Sequence, residues 1–378
     1  MDSLSEANGN FAFNLFNKLN QDNKENMFYS PLSISSVLAM VCLGARKNTA
    51  AQMSQVLQLD KRDDVHTHFQ SLILEMNKPG TDYILKAANR LYGEKSYSFL
   101  EEFLGATQKY YYADLQSVDF LGKAEGSRQE INDWVKQKTE GRIKDLLQPG
   151  TVDSLTRLVL VNAIYFKGNW ENSFNLEHTR EMPFRLSKNR SKAVQMMYQT
   201  RTFPMTYIGE LFTKVIELPY VNNELSMIFM LPDDIEDGTT GLEKLEMNLT
   251  YDKFLEWTNP EMMDETKMEL FLPKFKLEAN YDLKSVLISM GMTDAFCSNK
   301  ADFSGMSDNN DLFLSKIIHK SYVDVNEEGT EAAATTAAVM ENRCLMIVPR
   351  IVCDHPFLFF IVHRQSRSIL FCGRVVSP

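Results

Sequence analysis

Residues 329–349, GTEAAATTAAVMENRCLMIVP, constrain the fold of this chain more than any other stretch. In an extended strand, successive side chains point to opposite faces. That layout puts Thr330, Ala332, Ala334, Thr336, Ala338 and Met340 on one face, all of them small or apolar. Glu331 and Glu341 fall on the other face, beside Ala333, Thr335, Ala337 and Val339. One face could therefore enter a sheet without burying a charge. Alanine is also the best helix former, and composition alone favours an Ala-rich surface helix or a linker here.

The flanking chain favours the strand. Upstream, 314–325 (LSKIIHKSYVDV) sets Ile317, His319, Ser321, Val323 and Val325 on one face; downstream, 357–362 and 369–376 read as buried strands joined by a polar turn. A connection of about 20 residues between strands is uncommon in a compact protein and usually functional.

The rest of the chain bounds the answer. With 44% hydrophobic residues, 378 residues can bury a large core, and no Pro/Gly/Ser-rich linker, repeat or low-complexity tract divides them, so one domain over 1–378 is expected. A net charge of −10 with scattered Lys and Arg argues against a nucleic-acid or other polyanion partner, which needs clustered cations. Residues 1–10 are polar and acidic, unlike a cleavable signal. Phe11, Phe13, Leu15, Phe16 and Leu19, interrupted by Asn14, Asn17 and Lys18, read as an amphipathic helix. Residues 32–45 are too short to span a membrane and read as a buried helix. Cys42, Cys297, Cys344, Cys353 and Cys372 have no paired spacing, and an odd count suits a reducing compartment. These features together predict a cytoplasmic protein without membrane contact, in which the sequons at Asn189 and Asn248 are chance matches; export without a cleaved signal stays open.

Helical patterns dominate the first 150 residues, including 127–147 with Ile131, Trp134 and Val135 on an apolar stripe and Gly141 near a break. Strands dominate thereafter: 158–166 is almost continuously apolar and β-branched, as a strand buried on both faces should be, and 227–231 is similar. This order points to an α+β fold. There is no His-Glu-x-x-His, no phosphate-binding Gly-rich loop, no Cys-x-x-Cys and no Gly-x-Ser-x-Gly, so neither an enzyme nor a metal or cofactor is expected. His66 and His68 lie near Asp63 and Asp64, but without further ligands they read as a solvated helix start.

Several motifs carry a resemblance. They are 26–33 (NMFYSPLS), 160–168 (LVNAIYFKG), 270–275 (LFLPKF), 301–307 (ADFSGMS), 325–335 (VNEEGTEAAAT) and 354–359 (DHPFLF). Together, and in this order, they resemble the serpin superfamily, and within it the ovalbumin-like intracellular branch that includes the cytoplasmic antiproteinase and leukocyte elastase inhibitor group. The resemblance implies three β-sheets, about nine helices and an exposed reactive-centre loop at about 329–350. It implies a monomeric inhibitor of serine proteases that acts as a suicide substrate. The protease attacks the loop to form an acyl-enzyme, and the cleaved loop then enters the central sheet, trapping the enzyme before hydrolysis completes.

By the same resemblance, Gly329, Thr330, Glu331, Ala332, Ala333, Ala334 and Thr335 form the hinge that enters first, with Thr335 standing where alanine is usual. Counting along the loop as in the family places the reactive bond between Arg343 and Cys344, and an arginine there suits the acidic specificity pocket of trypsin-like enzymes. Met340, Leu345 and Met346 offer alternative bonds. Ser30, Ser33, Asn162 and His319 match the family's shutter beneath the central sheet, and Trp170 matches the breach where the loop enters. Two other readings remain: a non-inhibitory serpin serving in binding or storage, and an inhibitor of lysosomal cysteine proteases.

Overall fold

A computed structural model describes residues 3–21, 23–59, 65–81, 83–328 and 348–378. The hinge residues Gly329 to Thr335, the pair Arg343 and Cys344, and the alternative bonds at Met340, Leu345 and Met346 lie outside the described residues.

The N-terminal part supplies helices α1 (Ser3–Asn20), α2 (Pro31–Cys42), α3 (Lys47–Val56), α4 (Val65–Met76), α5 (Glu101–Tyr111) and α6 (Phe120–Lys138). Short helices α7 (Glu243–Asn248), α8 (Tyr251–Trp257) and α9 (Lys284–Ser289) follow later. Helix α2 is apolar nearly all round and accordingly buried; Ser30 caps it by accepting a hydrogen bond from the Ser33 amide, and Pro31 sits where its missing N–H is harmless. Helix α6 corrects the expected span of 127–147. It starts at Phe120, with Asp119 accepting the Gly122 amide at 2.7 Å, and stops at Lys138 because Glu140 and Gly141 take left-handed backbone, φ 53° and 77°.

Numbered along the chain, the strands are β1 (Met27–Tyr29), β2 (Tyr83–Glu94), β3 (Leu115–Val118), β4 (Leu158–Gly168), β5 (Arg180–Ser187), β6 (Arg190–Ile208), β7 (Thr213–Pro219), β8 (Leu225–Pro232), β9 (Asp264–Pro273), β10 (Phe275–Asp282), β11 (Leu314–Val325), β12 (Arg350–Val352), β13 (Phe357–His363) and β14 (Ser368–Val375). They form two hydrogen-bonded sheets. The five-stranded sheet runs β10-β11-β4-β2-β3, and the larger runs β1-β14-β13-β8-β7-β6-β9-β12 with β5 on β6. The expected third sheet is present as an arm of the larger one. β6 is 19 residues long: Arg190 to Met196 pair with β5, Met196 to Met205 with β9, and only Met205 to Ile208 with β7. The fold is α+β, but β2 lies within the first 150 residues that helical patterns were expected to dominate.

Aromatic side chains fill the space between the sheets. Phe28 stacks on Phe371 at 5.0 Å and on Phe359 at 5.8 Å, and Phe166 meets Phe371 at 5.4 Å. A separate core under α6 joins Tyr92, Ile131, Val135, Val159 and Val161. Cys42, Cys297, Cys353 and Cys372 are free thiols. Burial pushes the Cys372 thiol up to about 12 and raises Cys353 as well, so both behave as small hydrophobes. His66 is half-buried rather than solvated, with Nδ1 2.6 Å from the Tyr111 hydroxyl. Among the described residues no group of three or more His, Cys, Asp or Glu could hold a metal, and no helix is long and apolar enough to cross a membrane.

Candidate functional site

The centre of the five-stranded sheet is a seam where β4 and β11 run parallel, with Leu314 to Val323 facing Leu158 to Phe166. β10 and β2, which flank the pair, are both antiparallel to their neighbours across it. The chain leaves β11 at Val325, at the end of this seam, and enters residues 329–347.

Register sets a row of polar side chains straight across four strands: Asn89 on β2 opposite Asn162 on β4, Asn162 opposite His319 on β11, and His319 opposite Tyr281 on β10. The His319 and Asn162 side chains are buried completely. The Ser30 backbone N–H donates to His319 Nε2 at 3.2 Å, so Nδ1 carries the ring proton and donates to Asn162 Oδ1 at 2.5 Å. Asn162 Nδ2 in turn donates to Ser33 Oγ (2.6 Å) and Asn89 Oδ1 (2.5 Å), and Ser30 Oγ donates to the Leu370 carbonyl (2.7 Å). Tyr281 stacks on the imidazole, 6.3 Å between centroids and 15° between planes. Burial holds His319 neutral by pushing its pKa down to about 3. The structure thus brings Ser30, Ser33, Asn162 and His319 into one network and adds Asn89 and Tyr281, which sequence reasoning missed.

Trp170 lies at the C-terminal end of the seam, where the chain leaves β11. It stacks on Tyr220 at 4.6 Å and 7°, and its Nε1 donates to the Asn326 carbonyl at 2.9 Å. Gly168 permits this approach, since a Cβ there would lie 2.5 Å from the Tyr220 ring. The next residue, Glu327, is held on three sides. Its carbonyl accepts the Phe174 amide at 3.0 Å, and its carboxylate accepts from Thr179 Oγ1 at 2.7 Å and pairs with Lys274 at 2.8 Å. Burial opposes ionisation of Glu327, but the Lys274 and Thr179 hydrogen bonds prevail and keep its carboxyl below the usual range. Glu327 was read only as part of the hinge-like motif; no local pattern in the sequence links it to Thr179 or Lys274.

The chain returns at Val348 and is fixed at once. The Pro349 carbonyl accepts the Glu269 amide at 2.9 Å, and Arg350, Ile351 and Val352 pair in parallel with Glu269, Leu270 and Phe271. Asp354 accepts the Arg185 amide at 2.7 Å through its carbonyl. The described chain is therefore held on both sides of residues 329–347, at Glu327 by Phe174, Thr179 and Lys274 and at Pro349 to Val352 by β9.

Residues 6–378 match the family model described as "Serpin (serine protease inhibitor)". Serpin B6 of Macaca fascicularis is 58% identical over 381 residues, and the leukocyte elastase inhibitor of Equus caballus is 57% identical over 379; each alignment covers all of both chains. Among solved structures, uncleaved ovalbumin superposes with a TM-score of 0.92 at 39% identity, covering all of both chains, and maspin with 0.92 at 38%, covering all of this chain and 99% of that one. The chain belongs to the serpin family of serine protease inhibitors, in the group of ovalbumin-type relatives that includes serpin B6 and leukocyte elastase inhibitor.

Proposed function

We propose that this serpin is a suicide substrate for trypsin-like serine proteases, which cleave it between Arg343 and Cys344. The observation that carries the proposal is the parallel seam between β4 and β11 with the loop attached to its end. A segment that folded back from Glu328 and slid between the two strands would run antiparallel to both, replacing one slanted parallel ladder with two antiparallel ones. About 14 residues from Gly329 would form a strand of roughly 46 Å. Apart from Glu331, which falls on the opposite face, Gly329 to Thr335 are small enough to lead it, with Thr330 and Ala332 entering first; a charge or a proline at those two positions would leave a buried unpaired group or a missing ladder bond.

In this reading Trp170, with Glu327 and Lys274, marks the breach. Ser30, Ser33, Asn162 and His319 are the shutter that must part as the strand passes. The whole chain, 1–378, acts as one domain and as a monomer, and its site of action is the cytoplasm. The test is incubation with trypsin, scored on a denaturing gel, for wild type, Arg343→Ala and Thr330→Arg. A covalent adduct present in wild type and lost in both variants is expected. Cleavage after Arg343 with no adduct would mean a substrate and would end the inhibitory reading for this enzyme class.

A further inference from the structure

At the root of the loop's far side, two arginines lie against one ring. The Arg350 guanidinium is 4.6 Å from the centre of the Phe271 ring and that of Arg180 is 5.3 Å from it. Phe271 is 2% exposed, wedged by Tyr198 at 4.7 Å, so it is a fixed platform. Both arginines are exposed, and they line a cleft of about 450 Å³. Glu177 and Glu269 line it too, but among the described residues no carboxylate comes within ion-pair distance of either guanidinium. Two cations are thus held by stacking, facing solvent, with no ion-pair partner among the described residues. That is a preorganised site for a carboxylate, because little side-chain freedom remains to be lost on binding.

Position identifies the occupant. Arg350 is seven residues beyond Arg343, so it lies at most about 25 Å from the reactive bond along an extended chain. A protease domain of about 200 residues has a radius of gyration near 16 Å and extends past that distance from its own active site. Resting on the protease reading above, we propose that Arg180 and Arg350 form a second contact for the docked protease, receiving an acidic side chain from the rim of its active site on the leaving-group side. The chain's net charge of −10 repels acidic surfaces at long range, so the pair acts at short range, as a selector among proteases already drawn to the loop.

The probe is trypsin. Rates of adduct formation are measured at 50 and 500 mM NaCl for wild type, Arg180→Glu/Arg350→Glu and Arg180→Gln/Arg350→Gln, with thermal melts to verify folding. The Glu pair is expected to be slower by about three- to tenfold at low salt, with the gap closing at high salt and the Gln pair between. Equal rates at low salt overturn the proposal. A drop of the same size at both salt concentrations also overturns it, since it assigns the arginines to packing on Phe271. If the wild type itself forms no adduct, the inhibitory reading falls, and the same comparison made on the Kd of trypsin lacking its catalytic serine decides the contact site separately.

Discussion

Asn162→Ala tests the polar row at its midpoint. The substitution deletes three hydrogen bonds: one accepted from His319 Nδ1, and two donated, to Ser33 and Asn89. At about 1 kcal/mol net each, they account for about 3 kcal/mol. His319 Nδ1–H is then left without an acceptor in a fully buried position, which adds about 1–3 kcal/mol, while half-buried Asn89 can turn to water. The native form should therefore lose about 4–6 kcal/mol. With a urea slope of about 3 kcal/mol per M, its unfolding midpoint falls by roughly 1.5 M, measured by circular dichroism with intrinsic fluorescence as a second probe. The same substitution is then made in protein cleaved at the loop. If a new strand separates β4 from β11, the bond between His319 and Asn162 no longer exists in that form, and the penalty should be smaller by at least the orphaned-donor share. A native-state loss under about 1 kcal/mol, or an equal loss in both forms, would refute the reasoning.

Further outcomes are expected. His319 is neutral in the fold, with its pKa pushed down to about 3 against an ordinary 6.5, so the unfolded chain takes up a proton first as pH falls. Its contribution to stability is intact above about pH 6.5 and is lost progressively down to about pH 3, amounting to about 2 kcal/mol at pH 5; urea titrations of wild type and His319→Gln should differ in slope over that window by this amount. Glu327→Gln and Lys274→Met should each lower native stability by about 1–3 kcal/mol, and the double variant should cost less than their sum, because the two side chains form one ion pair. Loop cleavage should raise the melting midpoint of the wild type: even ~5 kcal/mol from a new strand, at roughly 2 °C per kcal/mol in a chain this large, is about 10 °C, and an unchanged midpoint after cleavage would point to a loop that does not insert.

What could be read from the sequence was local, and what could not was register. Strand β4 was legible because apolar and β-branched residues run from Leu158 to Phe166 with only Asn162 between them, and α2 because its apolar positions leave no solvent face. Strand β2 was not legible. Lys86, Ala87, Ala88 and Arg90 are helix formers, and they are extended because β4 pairs along them, with β3 joining the other edge only from Leu91 to Glu94, while Tyr92 and Ala88 pack under α6. Missing β2 meant missing Asn89, and with it one end of the polar row. Ser30, Ser33, Asn162 and His319 came from the family resemblance. That they meet depends on pairings between strands more than 100 residues apart, which no local pattern encodes.

The composition of the row also limits how this protein could be stabilised. Parallel pairing gives the β4–β11 seam weaker backbone bonds than an antiparallel pair would have, and across it the sheet relies on side chains that can change partners. An amide or a hydroxyl released by one strand can be taken up by another with little net change in energy, whereas a well-packed leucine leaves a void when its neighbour moves away. If the loop inserts as proposed, filling the row with apolar side chains would make a sturdier resting molecule and a slower inhibitor. Efforts to raise the thermal resistance of this chain should therefore be aimed away from the seam, at α1, α6 or the hairpin of β13 and β14, where rigidity does not compete with the proposed insertion.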